Sequence, residues 1–393
     1  MKILYIHQYF KTPGQGGAIR SWYISTAMVR AGHEVHMVTS YNRKKYEEKI
    51  LDGIHVHYLP VSYRSSYRFF RRVIAFLLFS HHAYNLCKKV RSPDLVYATS
   101  TPLTVGLVAL KLKNRRHLPY IFEVRDLWPE VPIQMKILRN PVLKWITRFL
   151  ERKIYAGASR IVVLSPGVEQ SIKALPFAKS VYLCPNMSDC DFFKMKGEDE
   201  INLAQKYALE GKLVISYFGA IGPSNALDYL LNVARIAYSG GWKIVFLILG
   251  EGPYKQELIR KRTLEGLANT HFINHQNKHE LRKYLSVTDA AYISFANFPV
   301  FEMNSPNKFF DALASGKLII SNVNGWIREL VEKNSCGFYY HPEKPDLFFE
   351  QIQPFLEYPE KLIKYQMNAR KLAETQFDRN LLIRGLFDYL EIK

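Results

Sequence analysis

The chain reads as an α/β protein of two doubly wound parallel-sheet units in tandem, facing one another across a cleft. Three observations lead there. At 393 residues the chain is long for a single core, and two domains of roughly 190 residues are the default. Short β-rich apolar runs alternate with helical patterns, as βαβ crossovers require. That alternation breaks and restarts after Pro185-Asn186.

Taken in order, KILYIHQYF is the first strand. A helix over residues 18–30 follows, with Ile19, Tyr23, Ala27 and Arg30 on related faces and Gly32 as its stop. EVHMVTS, IHVHYLP, DLVYATS, PYIFEVRD and RIVVLS supply further strands of the first unit. KLVISYFGAIG, KIVFLILGEG, THFINH, AAYISF and KLIIS build the second, again with helical stretches between them. The polar, Gly-containing KMKGEDE at residues 194–200 reads as a connector. The tail from Pro359 is helical in composition. The domains are therefore set at 1–185 and 186–365, with a C-terminal helix over 366–393.

A hydrophobic content of 48% excludes a disordered chain and supports large cores. The charge is unevenly shared. Residues 1–190 hold 29 Lys and Arg against 11 Asp and Glu, a net of +18, whereas residues 191–393 hold 25 against 24. A basic half meets nucleic acid, an anionic membrane or an anionic substrate. No nucleic-acid-binding signature accompanies the charge, so no nucleic-acid partner is expected. Residues 63–91 carry an apolar centre, VIAFLLF at 73–79, flanked by Arg71-Arg72 and Lys88-Lys89. Seven apolar residues fall far short of the ~20 that span a bilayer. Two readings stand: a helix lying in the membrane interface through residues 67–79, or a helix packed on its own domain with a solvated basic rim. Cys87, Cys184, Cys190 and Cys336 show neither CxxC pairing nor metal spacing, which implies reduced thiols, a cytosolic setting and no metal site. The first strand starts at the N-terminus, so no secretory signal is expected.

In doubly wound sheets ligands bind outside the carboxyl ends of the strands, and the motifs fall there. SPNKFFDALASGK opens a helix with a Lys-bearing turn, and a carboxylate follows three residues later. Free N–H groups at the helix start, with Lys308, suit a phosphate, and Asp311 on the same face suits a ribose diol. Together they fit a nucleotide diphosphate; a capped amphipathic helix with a surface Lys is the alternative. GQGGAIR is not a dinucleotide fingerprint, because its glycines come late after the strand and the second strand ends without an acidic residue. Gly16-Gly17 still lets a diphosphate or sugar approach the backbone. In EVRDLWPE, Arg125 and Asp126 can position a hydroxyl and Trp128 can stack on a sugar, or the set is a buried ion pair with a core Trp. Gly219, Gly222, Gly250 and Gly252 are tight turns or backbone approaches to a nucleotide. Pro185-Asn186 is a hinge or a cleft residue, and His7, His33, His36, His55 and His57 are structural.

With HQYFxxPxxGGAIR, VRDLWPE, SRIVVLSPGV, PNMSDCDFF, LGEGP and SPNKFFDALASGK in view, the chain resembles the family 4 glycosyltransferases of GT-B fold nearly end to end. It is most similar to the bacterial subgroup that transfers N-acetylated amino sugars, of the N-acetyl-fucosamine type, in O-antigen and capsule assembly. The resemblance implies two Rossmann-like domains and a C-terminal helix that crosses back to the first. It implies retaining transfer from a nucleotide diphosphate sugar, UDP chemistry at the donor, no cofactor and no catalytic metal. Asp311 would hold the ribose, and the turn of Ser305, Asn307 and Lys308 the diphosphate. Gly16 and Gly17 would face the diphosphate or acceptor, Gly219 and Gly250 would approach the nucleotide, and Asp126 with Arg125 would meet the transferred sugar. Lys308 would also stabilise the leaving charge.

Two departures stand out. The Glu of the family's spaced pair is displaced by one residue: Glu302 precedes Met303, which takes its place. The Arg expected after the first glycine of the second domain is Ala220, and Pro223-Ser224-Asn225 lacks the expected Lys. A lipid-linked oligosaccharide acceptor and an anionic membrane surface are the partners implied, with the protein cytoplasmic and peripheral on the inner face of the bacterial membrane. The rival readings are another GT-B enzyme, such as a nucleotide-sugar 2-epimerase, and a membrane-bound partner protein with a decayed nucleotide site.

Overall fold

The computed structural model describes residues 1–17, 19–63, 67, 69–177, 180–194 and 200–392. Two sheets organise it. The first contains β1 (Lys2–Ile6), β2 (Glu34–Ser40), β3 (Glu47–Leu51), β4 (Ile54–Leu59), β5 (Leu95–Thr99), β6 (Tyr120–Val124), β7 (Arg160–Val163) and β8 (Val181–Leu183). Their order is β3-β4-β2-β1-β5-β6-β7-β8. The second contains β9 (Leu213–Phe218), β10 (Ile244–Leu249), β11 (Thr270–Ile273), β12 (Ala290–Ile293), β13 (Leu318–Ser321) and β14 (Gly337–Tyr339), in the order β11-β10-β9-β12-β13-β14. Every residue of β9 and β10 is buried, as befits strands covered by helices on both faces, and their near-continuous apolar sequence follows from that.

The order reverses between β1 and β5 in one sheet and between β9 and β12 in the other. These are the switch points at which doubly wound sheets hold ligands. The loops carrying Gly16-Gly17, Gly219 and the Ser305 turn follow β1, β9 and β12 respectively, so all three converge on the space between the sheets.

The second sheet is wholly parallel as expected, but the first is not. β3 pairs antiparallel with β4, joined through Asp52-Gly53, both at positive φ (48° and 80°), the geometry that tight hairpins demand. β3, β8 and β14 were not expected at all. EEKIL lacks an apolar alternation because it is an edge strand with three exposed central residues, and the other two are only three residues long. The first strand ends at Ile6, earlier than KILYIHQYF suggests. The first helix is Arg20–Arg30, and Ala18 lies outside the described residues. So does most of the expected connector, residues 195–199, after which a helix starts at Glu200.

The C-terminal segment ties the halves together. Ala369 and Leu372 of the helix Pro359–Leu372 pack with Phe309, Phe310 and Ala314 of the second domain. The final helix, Arg379–Leu390, instead sends Leu386 and Leu390 into the first-domain core of Ile3, Tyr5, Ile24 and Met28. The crossing is pinned where the Ser188 N–H donates to Phe377 O (2.8 Å) and the Arg379 N–H to Ser188 O (2.9 Å). All four cysteines are buried and unpaired.

Candidate active site

A cavity of about 380 Å³ lies between the domains, within the range of roughly 300–1,000 Å³ that small-molecule sites occupy. The first domain contributes Gly17, Arg20 and Tyr23 to its wall; the second contributes Gly219, His275, Lys278, Asn307, Lys308 and Asp311. Five residues singled out from the sequence therefore line one cavity: Gly17 from the first domain, and Gly219, Asn307, Lys308 and Asp311 from the second.

The helix Asn307–Ala314 starts from an extended Pro306 cap, and its inner face of Phe309, Phe310, Ala312 and Leu313 is buried in the second core. That packing fixes the other face toward the cavity. Lys308 lies over the rings of Tyr217 (4.0 Å) and Phe295 (5.3 Å), and its Nζ donates to the Tyr217 hydroxyl (2.9 Å). Tyr217 in turn donates to Ala220 O (2.6 Å). Among the described residues Lys308 has no carboxylate partner, and burial pushes its ammonium down to about 7. Asp311 moves the opposite way, up to about 6: burial is the main cause, nearby Asp189 adds to it, and Lys278 opposes it. Two ionisable groups whose charges lack full local compensation, on one wall of an interdomain cavity, are what a ligand with a complementary anion and hydroxyls would relieve.

The glycines divide by role. Gly16 (φ +67°) is where the domains approach: a Cβ there would lie 3.0 Å from His275 Nε2 and 3.2 Å from Asn277 Cα across the cleft. Gly219 (φ +149°) passes close under Lys308, 3.3 Å from its Cε to a Cβ position. Gly250 does not line the cavity. It packs beneath Gly219, whose carbonyl oxygen would be 1.9 Å from an added Cβ, so it supports the turn that Gly219 occupies.

Other sequence-marked residues stand apart from this wall. Ser305 is buried; its Oγ accepts the Asn186 N–H (3.3 Å) and its carbonyl accepts from the Asn186 side chain, which fastens the domain junction to the second domain. Glu302 ends the short helix Pro299–Glu302, closely packed against Gly325. Its neighbour Met303 packs with the first-domain core near Trp128, which is itself partly buried there. The Val300 N–H donates to Gln134 Oε1 of the first domain (3.0 Å). Arg125 donates its N–H to Ser100 Oγ (3.0 Å). Burial pushes the Asp126 carboxyl up, and Arg125 partly opposes it. The VRDLWPE segment thus stands at the β6 end, and Arg125, Asp126 and Glu302 do not line the cavity that holds Lys308.

Two networks were missed from the sequence. Arg20 Nε and the Tyr97 hydroxyl both donate to Glu123 Oε2 (2.9 Å each), and Arg20 also reaches Pro185 O. Asp189, just past the junction, accepts from Tyr23 of the first domain (2.6 Å), Lys278 of the second (2.8 Å) and Arg379 of the crossing segment (3.0 Å). Burial opposes ionisation of Asp189, yet these partners hold its carboxyl below the usual range. One signal was available for Lys278: the loop after THFINH follows a strand like the others, and Asn277 caps the helix that starts at Lys278 by accepting the Glu280 N–H.

Residues 15–186 match the model of the glycosyl transferase 4-like domain, and residues 199–372 that of glycosyl transferases group 1. The chain is 21% identical over 249 residues to the α-D-kanosaminyltransferase of Streptomyces kanamyceticus, an alignment taking in 61% of this chain and 60% of that protein's length. Among solved structures it is similar to Anabaena Alr3699/HepE in complex with UDP-glucose, with a TM-score of 0.74 at 18% identity over 100% of this chain and 99% of that one. Sucrose-phosphate synthase from Thermosynechococcus elongatus superposes with a TM-score of 0.77 at 15% identity, over 99% and 98%. The chain thus carries a glycosyl transferase 4-like domain followed by a glycosyl transferases group 1 domain, on a fold shared with those two structures.

Proposed function

We propose that the protein is a retaining glycosyltransferase that moves a sugar, of the N-acetylated hexosamine type, from a UDP-class donor to a lipid-linked glycan in surface polysaccharide assembly. The observation that carries the donor assignment is the placement on one cavity wall of Lys308, with no carboxylate partner among the described residues, and Asp311, whose charge Lys278 offsets only in part. The diphosphate sits on the N-terminus of the helix Asn307–Ala314 and restores the charge of Lys308; Asp311 accepts the ribose hydroxyls. The UDP and UDP-glucose complexes of the Anabaena protein support the same class of donor, and the relative named for kanosaminyl transfer supports a sugar of amino type.

In this mechanism the bond from the sugar's anomeric carbon to the β-phosphate oxygen breaks as the acceptor oxygen bonds to the same face. The acceptor proton passes to the departing phosphate oxygen, and Lys308 and the helix N–H groups stabilise the charge that builds there. Arg125 and Asp126 on the first domain, with Glu302 on the second, orient the sugar and acceptor once the domains close. The net charge of +18 on residues 1–190 supports a diphosphate-bearing lipid acceptor at an anionic membrane face.

The test is consumption of UDP-sugars by the purified protein, with and without a lipid-diphosphate-linked sugar, and the anomeric configuration of the product by NMR. Acceptor-dependent consumption with retained configuration is expected. Interconversion of the donor without acceptor would favour an epimerase. No turnover with any donor would favour a non-catalytic partner.

A further inference from the structure

Three helices lie side by side over one face of the first sheet: Phe69–Cys87, Thr104–Arg116 and Pro141–Gly157. Their inner residues, among them Phe79, Val105 and Ile154, share one core. The contacts fix how they are staggered. Ser80 Oγ donates to Thr104 O (3.1 Å), and at the far end Arg116 donates to Cys87 O (3.0 Å). On the other flank a Cβ at Gly106 would meet Ile154, and one at Gly157 would meet Leu110. Both outer helices therefore run in the direction of the middle one and begin well before it. At 1.5 Å per residue, the turns ahead of Ser80 and of Ile154 overhang the start of Thr104–Arg116. That start follows β5, so both overhangs project past the carboxyl edge of the sheet, on the side where the cleft lies.

Both overhangs turn apolar side chains to solvent. Phe70, Ile74, Leu77 and Leu78, spaced i, i+4, i+7 and i+8, are 47 to 78% exposed. Val142, Trp145, Ile146 and Phe149, spaced i, i+3, i+4 and i+7, are 37 to 67% exposed, with the Trp145 and Phe149 rings stacked at 5.7 Å. The core faces of the first helix are already taken by Ala75, Phe79 and Ala83, so Phe79 is not part of any outer contact. Around the second stripe the charge is one-sided: residues 136–153 hold six Lys and Arg against one carboxylate, Glu151. An exposed apolar stripe with aromatic residues and a basic flank is the composition of a helix that lies in a membrane interface, and anionic headgroups complement the charge.

We infer that the two overhanging helices form one docking surface for an anionic lipid bilayer, with Trp145 and Phe149 as its main insertion point. The inference deepens the membrane-facing part of the proposed function and rests on it. Seated this way, the cleft edge meets the headgroup layer, where the diphosphate and first sugars of a lipid-linked acceptor lie. Among the described residues no helix is long and apolar enough to cross a membrane, so the contact is a peripheral one.

The test is flotation of the full-length protein with vesicles of phosphatidylglycerol and phosphatidylcholine in equal parts, and with phosphatidylcholine alone, at low and high salt. Wild type is compared with Trp145→Ser/Phe149→Ser and with Arg152→Glu/Lys153→Glu, all at exposed positions, with thermal melts to confirm folding. The expected result is co-flotation of wild type on the anionic vesicles, weakened by salt. Partitioning of the aromatic variant should fall roughly tenfold or more, and the charge-reversed variant should lose its preference for anionic lipid. Wild type failing to float, or floating no better than the aromatic variant, would overturn the inference. So would a wild-type dimer in sedimentation that the aromatic variant dissolves, since the surface would then belong to a second copy. UDP titrations of the same preparations separate this outcome from the donor assignment: binding unchanged in the surface variants leaves the donor site standing whatever the vesicles show.

Discussion

The two halves of the molecule bury charge in opposite ways. In the first, Arg20 and Glu123 are 2% and 0% exposed and pair at 2.9 Å, with Tyr97 donating to the same carboxylate oxygen. In the second, Lys308 and Asp311 are enclosed without a full counter-charge, and each is pushed toward its neutral form. A paired buried ion holds structure in place, whereas an unpaired one at a cavity wall costs stability until a ligand arrives. The same segment-level signal, a charged residue at a strand end, covers both cases. Only the partner tells them apart.

Removing one member from each pair should therefore have different consequences. Glu123→Ala leaves Arg20 buried without its carboxylate and should cost about 3–5 kcal/mol of stability, read as a lowered midpoint in denaturant unfolding. Lys308→Ala should leave the fold intact and weaken UDP binding about a hundredfold, or roughly 2.7 kcal/mol; unchanged affinity would remove Lys308 from the phosphate site. Gly16→Ala strains a positive-φ position and crowds His275 and Asn277, at a cost of order 1–3 kcal/mol. Because that contact crosses the cleft, the loss should appear in turnover more than in UDP affinity.

Acidity sharpens the contrast. In the empty protein Lys308 falls to about 7 and Asp311 rises to about 6. Bound diphosphate raises Lys308 again, so binding takes up a proton and UDP affinity declines as pH rises above about 7. Calorimetry in buffers of different ionisation enthalpy reads this directly, and the alkaline decline should vanish in Lys308→Ala. Stability runs in the reverse sense. A lysine whose folded pKa lies below its unfolded value makes the fold more stable as pH climbs from about 7 toward its usual range. Lys308→Met should thus melt a few degrees above wild type near pH 6.5, an advantage that fades toward pH 10.

What could be read from the sequence was what is local. β9 and β10 were legible because six consecutive buried residues leave a near-continuous apolar run, broken only by Ser216. Lys308 and Asp311 were legible because they lie three residues apart on one helix. The Asp189 network was not, because its partners Lys278, Tyr23 and Arg379 lie 89, 166 and 190 residues away and only the packing of the two domains and the crossing helix assembles them. Gly250 and Gly219 look alike in sequence; one supports a turn and the other lines the cavity, a distinction that depends on the backbone stacked above. The stripe at residues 142–149 was not singled out, since periodicity marks an apolar face without saying whether anything covers it.

The measurement that bears most directly on the donor site is calorimetric titration of UDP, GDP and ADP into wild type and Asp311→Ala. One nucleotide, UDP, should bind to wild type, with the affinity lost in the variant and the melting profile of the empty protein preserved. Binding of none of the three, or binding that Asp311→Ala leaves unchanged, would contradict the assignment of this cavity to a nucleotide diphosphate.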